Sequence, residues 1–272
     1  MKKVTLMVLV YSLMLLNTNT AIAQDDEPDL IESDQDHNHW RIGVTPYAWL
    51  ASQATDVGGE KIRQSFNDVY SITNSGFQLV LNARYKRFLF SADGTFAHLQ
   101  SGIKEAPLDV DIDILQYILH LKTGYLVYSN YEYENNDVIR GWSIEATIGA
   151  KYWSNDVEVN YSIQLGPFDP IEGKLNELQS YWDPMVGVGL KFFLSRKVLL
   201  STVFDYGGFN IGDASKYSYD FTYANSFLVA NWAVVHAGYR SFKYNRTDGE
   251  GDDEVETTVS AFGPVLGVSF IF

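Results

Sequence analysis

AFGPVLGVSFIF, Ala261 to Phe272, is the stretch that decides the fold. Read as an extended strand, it puts Leu266, Val268, Phe270 and Phe272 on one face and Gly263, Gly267 and Ser269 on the other. A water-soluble protein would have to cover the first face with a second layer. A strand in a closed ring surrounded by lipid needs no such layer, because both its edges are paired and lipid takes the apolar face.

The same period of two runs through the chain from Trp40 onward. Ile42, Val44, Pro46, Ala48 and Leu50 alternate with Arg41, Gly43, Thr45, Tyr47 and Trp49, and Phe77, Leu79, Leu81, Ala83 and Tyr85 alternate with Gln78, Asn82 and Arg84. The pattern returns in residues 87–99, 109–129, 140–153, 180–194, 197–208, 217–230 and 232–244. The reading is therefore all-β: a transmembrane up-and-down antiparallel β-barrel of about ten strands, with 8 or 12 as the alternatives. Residues 60–66 are a further segment able to pair, and 154–178 is long enough for an extra hairpin.

The connections support a membrane barrel over a soluble one. Lys86-Arg87, Ser195-Arg196-Lys197 and Asn231 are short joints, whereas 52–73, 154–178 and 245–256 read as long polar connections. Short turns at one end and long loops at the other are the pattern of outer-membrane barrels. Aromatic residues gather near strand ends, at Trp142, Tyr152, Trp153, Trp182, Phe192, Tyr206 and Tyr239, where interfacial girdles would lie.

Composition agrees. The 272 residues are 46% hydrophobic and 15% aromatic, with 18 Tyr and 16 Phe, which suits pleated, half-buried surfaces. With no cysteine there is no disulfide, thiolate or Cys-based metal chemistry. A net charge of -14 argues against a nucleic-acid partner. At the front, Lys2 and Lys3 precede an apolar run from Val4 to Leu16 and the small residues Ala21 and Ala23, the layout of an export signal occupying 1–23 and cleaved near Ala23. The apolar run is too short to cross a membrane as a helix. Residues 24–39 are acidic and read as a solvated, disordered tail before a barrel of 40–272.

From Trp40 to Phe272 the chain resembles a family of proteobacterial outer-membrane β-barrel proteins, through WRIGVTPYAWL, GAKYW at 149–153, WDPMVGVGL at 182–190, FDYGGFNIG at 204–212, AGYRSFKY at 237–244 and GPVLGVSFIF at the end. The resemblance implies the outer membrane of a Gram-negative bacterium as the location. It also implies recognition of the strand ending in Phe272 by the barrel-assembly machinery. It brings no catalytic residues with it. Outer-membrane lipid and lipopolysaccharide are the expected surroundings, and a monomer is the expected state.

Parity assigns an inward-facing charge network of Arg41, Arg84, Asp93, Lys122, Glu145, Lys151, Asp183, Lys191, Asp205, Asp220 and Arg240. Desolvated charges need partners, so a paired network filling a narrow interior is expected, against the alternative of a lining that selects ions or small polar solutes. SFNDVYSITN, 65–74, breaks the alternation and reads either as a short helix plugging one mouth or as an ordinary loop. Asp248, Glu250, Asp252 and Asp253 form an acidic loop that is a weak candidate for a divalent cation, lacking the Gly and distal Glu of an EF-hand. No cofactor is expected. Of five histidines, His37 and His39 lie in the tail, His120 and His236 have inward parity, and His98 sits near a strand end. The expectation is a non-enzymatic barrel, either a narrow pore or a closed envelope anchor. An outer-membrane hydrolase and an adhesin acting through external loops are the competing readings.

Overall fold

The first and last strands pair with each other, Gly43 opposite Ile271 and Trp49 opposite Val265, and this closes the sheet into a ring. The computed structural model describes residues 40–105, 107–134, 137–164, 170–249 and 254–272. The elements are β1 (Trp40–Trp49), β2 (Ser52–Val57), β3 (Glu60–Gln64), α1 (Phe66–Ile72), β4 (Thr73–Tyr85), β5 (Phe88–Glu105), β6 (Leu108–Glu134), β7 (Asp137–Ile163), β8 (Ile171–Ser195), β9 (Val198–Gly207), β10 (Tyr217–Ala230), β11 (Ala233–Asp248) and β12 (Val255–Ile271).

Every pairing is antiparallel, in the order β1-β4-β5-β6-β7-β8-β9-β10-β11-β12. That makes ten strands in the closed ring. β2 continues the wall begun by β1, because β12 pairs its lower half with β1 and its upper half with β2; β3 is an added strand on β2. The terminal strand is paired on both sides to its end: Phe272 N donates to Ile42 O at 2.9 Å and Ile271 N to Trp232 O at 2.9 Å. No edge is left at the residue where the sequence raised the question.

The outer face is apolar over a limited height. On β7, Trp142, Ile144, Ala146, Ile148, Ala150 and Tyr152 point outward, with the Tyr128 ring packed at a tilt against Trp142 at 4.9 Å and Trp182 likewise against Tyr152 at 5.0 Å. Ten steps from Trp142 to Tyr152 cover about 34 Å along the strand, and a barrel tilt of about 40° reduces that to about 25 Å, the thickness of a barrel's apolar band. The two aromatic pairs thus mark the two membrane interfaces.

Four sequence expectations are corrected here. Much of 154–178, read as a long connection with an extra hairpin as the alternative, is a continuation of two ring strands: β7 runs on to Ile163 and β8 starts at Ile171, so a paired wall stands above the upper girdle and adds no strand to the ring. Continued backbone pairing, Val157 with Glu177 and Val159 with Leu175, overrides the polar composition. The expected loop at 245–256 likewise contains strand to Asp248 and from Val255. Trp153 is not in the girdle; one residue beyond Tyr152, it points inward and is only 4% exposed. Of the two readings of 65–74, plugging helix or ordinary loop, the helix is present as α1, held by a capping box in which Ser65 and Asp68 satisfy each other's backbone N–H groups. None of its residues is buried, so it is not packed into a mouth as a plug. The Ser65 hydrogen bonds hold the Asp68 carboxyl below the usual carboxylate range.

Residues 1–39, including the expected signal and tail, lie outside the described residues, as do Glu250, Asp252 and Asp253 of the acidic loop. Among the described residues no cluster of His, Asp or Glu is placed to hold a metal ion.

Candidate functional site

β7 carries the interior's organisation. Its inward positions Glu145, Thr147, Lys151 and Trp153 rise through the barrel, and each anchors one layer of side chains. In the lowest, Glu145 accepts from Arg84 of β4 and, at 3.0 Å, from Lys191 of β8. In the next, Asp205 of β9 accepts from Lys122 Nζ at 3.0 Å and from Thr147 Oγ1 at 3.0 Å. Gly187 makes this layer possible: a Cβ there would collide with the Asp205 carboxylate and with Thr147.

The third layer is the most connected. Asp220 of β10 accepts from Lys151 Nζ at 2.6 Å and takes two bonds from Arg240, Nε to Oδ1 at 3.0 Å and Nη2 to Oδ2 at 2.6 Å. Arg240 also reaches Asp93 of β5 at 2.9 Å and the Tyr47 hydroxyl of β1 at 3.0 Å, while Tyr47 donates to Asp93 at 2.7 Å. Five side chains from five strands therefore span the ring. Lys151 is 1% exposed and Asp220 3%, so these charges are sealed from solvent. Such burial is tolerable only because each charge meets an opposite one and a set of hydrogen bonds.

Above this layer sits an aromatic cap of Trp153, Tyr181, Phe242 and Tyr244. Trp153 and Phe242 rings lie 4.7 Å apart, and Lys151 Nζ lies 4.4 Å from the centre of the Phe242 ring, joining the cap to the charges below. The β9–β10 connection closes in beside it. Asp183, fully buried, accepts from Ser215 N at 2.7 Å and Ser215 Oγ at 2.9 Å.

Of the eleven charges read from parity, nine lie in the three ion-paired layers described above and Asp183 in its bonds to Ser215. Arg41, half-buried, lies opposite Arg84 in the β1–β4 register. Several participants were not read from the sequence: Tyr47, Thr147, Ser215 and the aromatic cap. The signal for most of them was present, since 47 shares parity with 41, 153 with 151, and 242 and 244 with 240. Ser215 carried none, because it lies in a connection with no period.

Of the histidines, His120 is buried in the interior, and His236 bridges Ser226 at 2.8 Å and Ser269 at 2.6 Å, with Ser269 bonded on to Thr45 at 2.6 Å. His98 has outward parity above the Phe96–Tyr117 pair, where Nε2 lies 2.9 Å from the Asp113 carboxylate and Ser75 is its partner in the β4–β5 register. Gln100 donates to Asp113 at 2.7 Å, and these bonds hold the Asp113 carboxyl below the usual carboxylate range.

No family model and no curated protein sequence matches the chain. Among solved structures, the outer-membrane protease OmpT of Escherichia coli is similar over 91% of this chain and 100% of its own, with a TM-score of 0.53 at 10% identity. The fold is that of an outer-membrane β-barrel. The attachment invasion locus protein Ail of Yersinia pestis (14% identity, 86% of this chain, 99% of that one, TM-score 0.32) and the toluene transporter TodX of Pseudomonas putida (9% identity, 85% and 88%, TM-score 0.33) are further solved structures found to be similar. At these identities the likeness extends to architecture and not to activity.

Proposed function

We propose that the protein is a closed outer-membrane barrel, its interior a rigid support and its external strands the working part, in the role of an envelope anchor or recognition platform. The observation that carries this reading is the filled cross-section: Asp220, Lys151, Arg240, Asp93 and Tyr47 link strands around the ring under a four-residue aromatic cap. A diffusion pore needs a continuous wet path, and a ten-stranded ring has little width beyond its own side chains. The external wall adds to the picture, since β7 continues ten residues beyond Trp153, about 33 Å of strand. Contact with outer-leaflet lipopolysaccharide and assembly through the Phe272 strand belong to the same proposal. Planar-bilayer recording of the refolded chain tests it: the expected trace is silent, and steady salt-dependent openings altered by Arg84→Ala or Asp205→Ala would sink it.

A second reading, hydrolysis at the external rim, has one observation in its favour. His98 is within hydrogen-bond reach of Asp113 and has Ser75 across the ladder, the residue types a serine hydrolase combines. Release of fatty acid from lipopolysaccharide or phospholipid by the wild type, lost in both His98→Ala and Ser75→Ala, is the result this reading requires.

A further inference from the structure

The outer wall is not uniformly convex. Across β1, β4, β5, β6 and β7 the register sets one row of Ile42, Ala83, Phe90, Thr123 and Ile148, and Leu81, Ala92 and Leu121 continue the next row up. The small side chains at 83, 92 and 123 form a floor, and the large ones stand as its walls. The result is a groove of about 630 Å³ on the lipid-facing surface. Its walls are well exposed, with Ile42 at 48% and Ile148 at 61%.

The groove runs down to a charged turn. Tyr85 and Phe88 flank Lys86 and Arg87, which join β4 to β5 on the same side of the barrel as the start of β1 and the end of β12. Trp40 stacks on Tyr85 at 5.0 Å and approaches Phe90 at 6.0 Å, and Phe88 packs on Tyr125 at 5.3 Å, so an aromatic rim separates apolar groove from cationic turn. Lys86 Nζ lies 5.3 Å from the centre of the Tyr85 ring, with no carboxylate within ion-pair distance among the described residues. Lys86 is three residue steps beyond Ala83, about 10 Å of strand. A cation pair, an aromatic belt and an apolar trough in that order match the order of phosphate, glycerol ester and acyl chain in a phospholipid.

We propose that this groove and turn form a seat for one anionic phospholipid of the leaflet on the short-turn side, the acyl chain lying over Ala83 and Ala92 and the phosphate meeting Lys86 and Arg87. The site is independent of whether the lumen conducts. Two cations near a membrane surface supply about 30-fold preference for an anionic over a zwitterionic headgroup.

The experiment is native mass spectrometry of the detergent-purified protein titrated with dioleoylphosphatidylglycerol or dioleoylphosphatidylcholine, folding of each variant being checked by its heat-modifiable gel mobility. The wild type should retain one phosphatidylglycerol in preference to phosphatidylcholine. Lys86→Asn/Arg87→Gln should lose that preference by about 30-fold while still binding both lipids weakly, and Arg87→Gln alone should lose part of it. Asparagine suits position 86 because its φ is 53°. Ala92→Trp, which fills the trough, should release both lipids. Equal retention of the two lipids by the wild type overturns the proposal, as does a preference untouched by the charge variants or a lipid still held by Ala92→Trp.

Discussion

Replacing Asp220 by alanine should unbalance the interior more than any other single change. The carboxylate is 3% exposed and neutralises two cations at once, Lys151 at 2.6 Å and Arg240 through two bonds. Its loss leaves Lys151, 1% exposed, without its carboxylate partner, while Arg240 retains Asp93 and Tyr47. Stranding a buried charge in this way costs about 3–5 kcal/mol. Lys151→Met behaves differently: the Asp220–Arg240 pair survives intact and the thioether packs on the Phe242 ring, so the cost should stay near 1 kcal/mol. The double variant Lys151→Met/Asp220→Leu removes both the stranded cation and its lost partner, and should recover at least about 2 kcal/mol relative to Asp220→Ala. Urea unfolding of the vesicle-inserted protein, followed by tryptophan fluorescence, measures all three. If Asp220→Ala costs less than about 1 kcal/mol, water is already solvating these charges and the sealed interior is wrong.

Two more predictions concern the external side. Asp183→Ala removes the two bonds from the barrel wall to Ser215, each worth about 1.5–3 kcal/mol to a charged acceptor, so chymotrypsin should cut at the exposed Phe209 at least about 100-fold faster; an unchanged rate would show that the backbone bonds Asn210 N to Ser215 O and Lys216 N to Asn245 O hold the connection by themselves. The Asp113 carboxyl is held low by Gln100 and His98, so its contribution is complete above the unfolded value near 4 and disappears as pH falls through the lower folded value. For so exposed a cluster the gap between wild type and Asp113→Asn should be below about 1 kcal/mol at pH 6 and should shrink steadily as the pH is lowered below about 4, read from thermal midpoints; a gap that widens in acid would reverse the assigned sign.

The sequence by itself determined that the chain builds two faces and that one of them is for lipid. Alternation from Trp40 to Phe272 is a local property with a period of two, and a paired strand cannot place Phe270 and Ser269 on the same side. The same parity assigned the charged interior residues from Arg41 to Arg240. The parity held at Trp153 as well, where reading a cluster of aromatics as girdle overlooked that the residue shares the parity of Lys151. That β7 and β8 themselves run on past the membrane was hidden, although 154–178 is long enough for a hairpin, because polar residues in paired strands outside the membrane look like a loop when read for composition alone.

What only the tertiary structure decided is who meets whom. Tyr47 and Arg240 are 193 residues apart and Arg84 and Glu145 are 61 apart, and nothing in either segment names the other. Those meetings follow from the strand count, the stagger of each hairpin and the closure of β1 on β12, which together set the height of every inward side chain around the ring. The lipid groove has the same origin: Ala83, Ala92 and Thr123 are unremarkable on their own strands and become a trough only when the register lays them side by side.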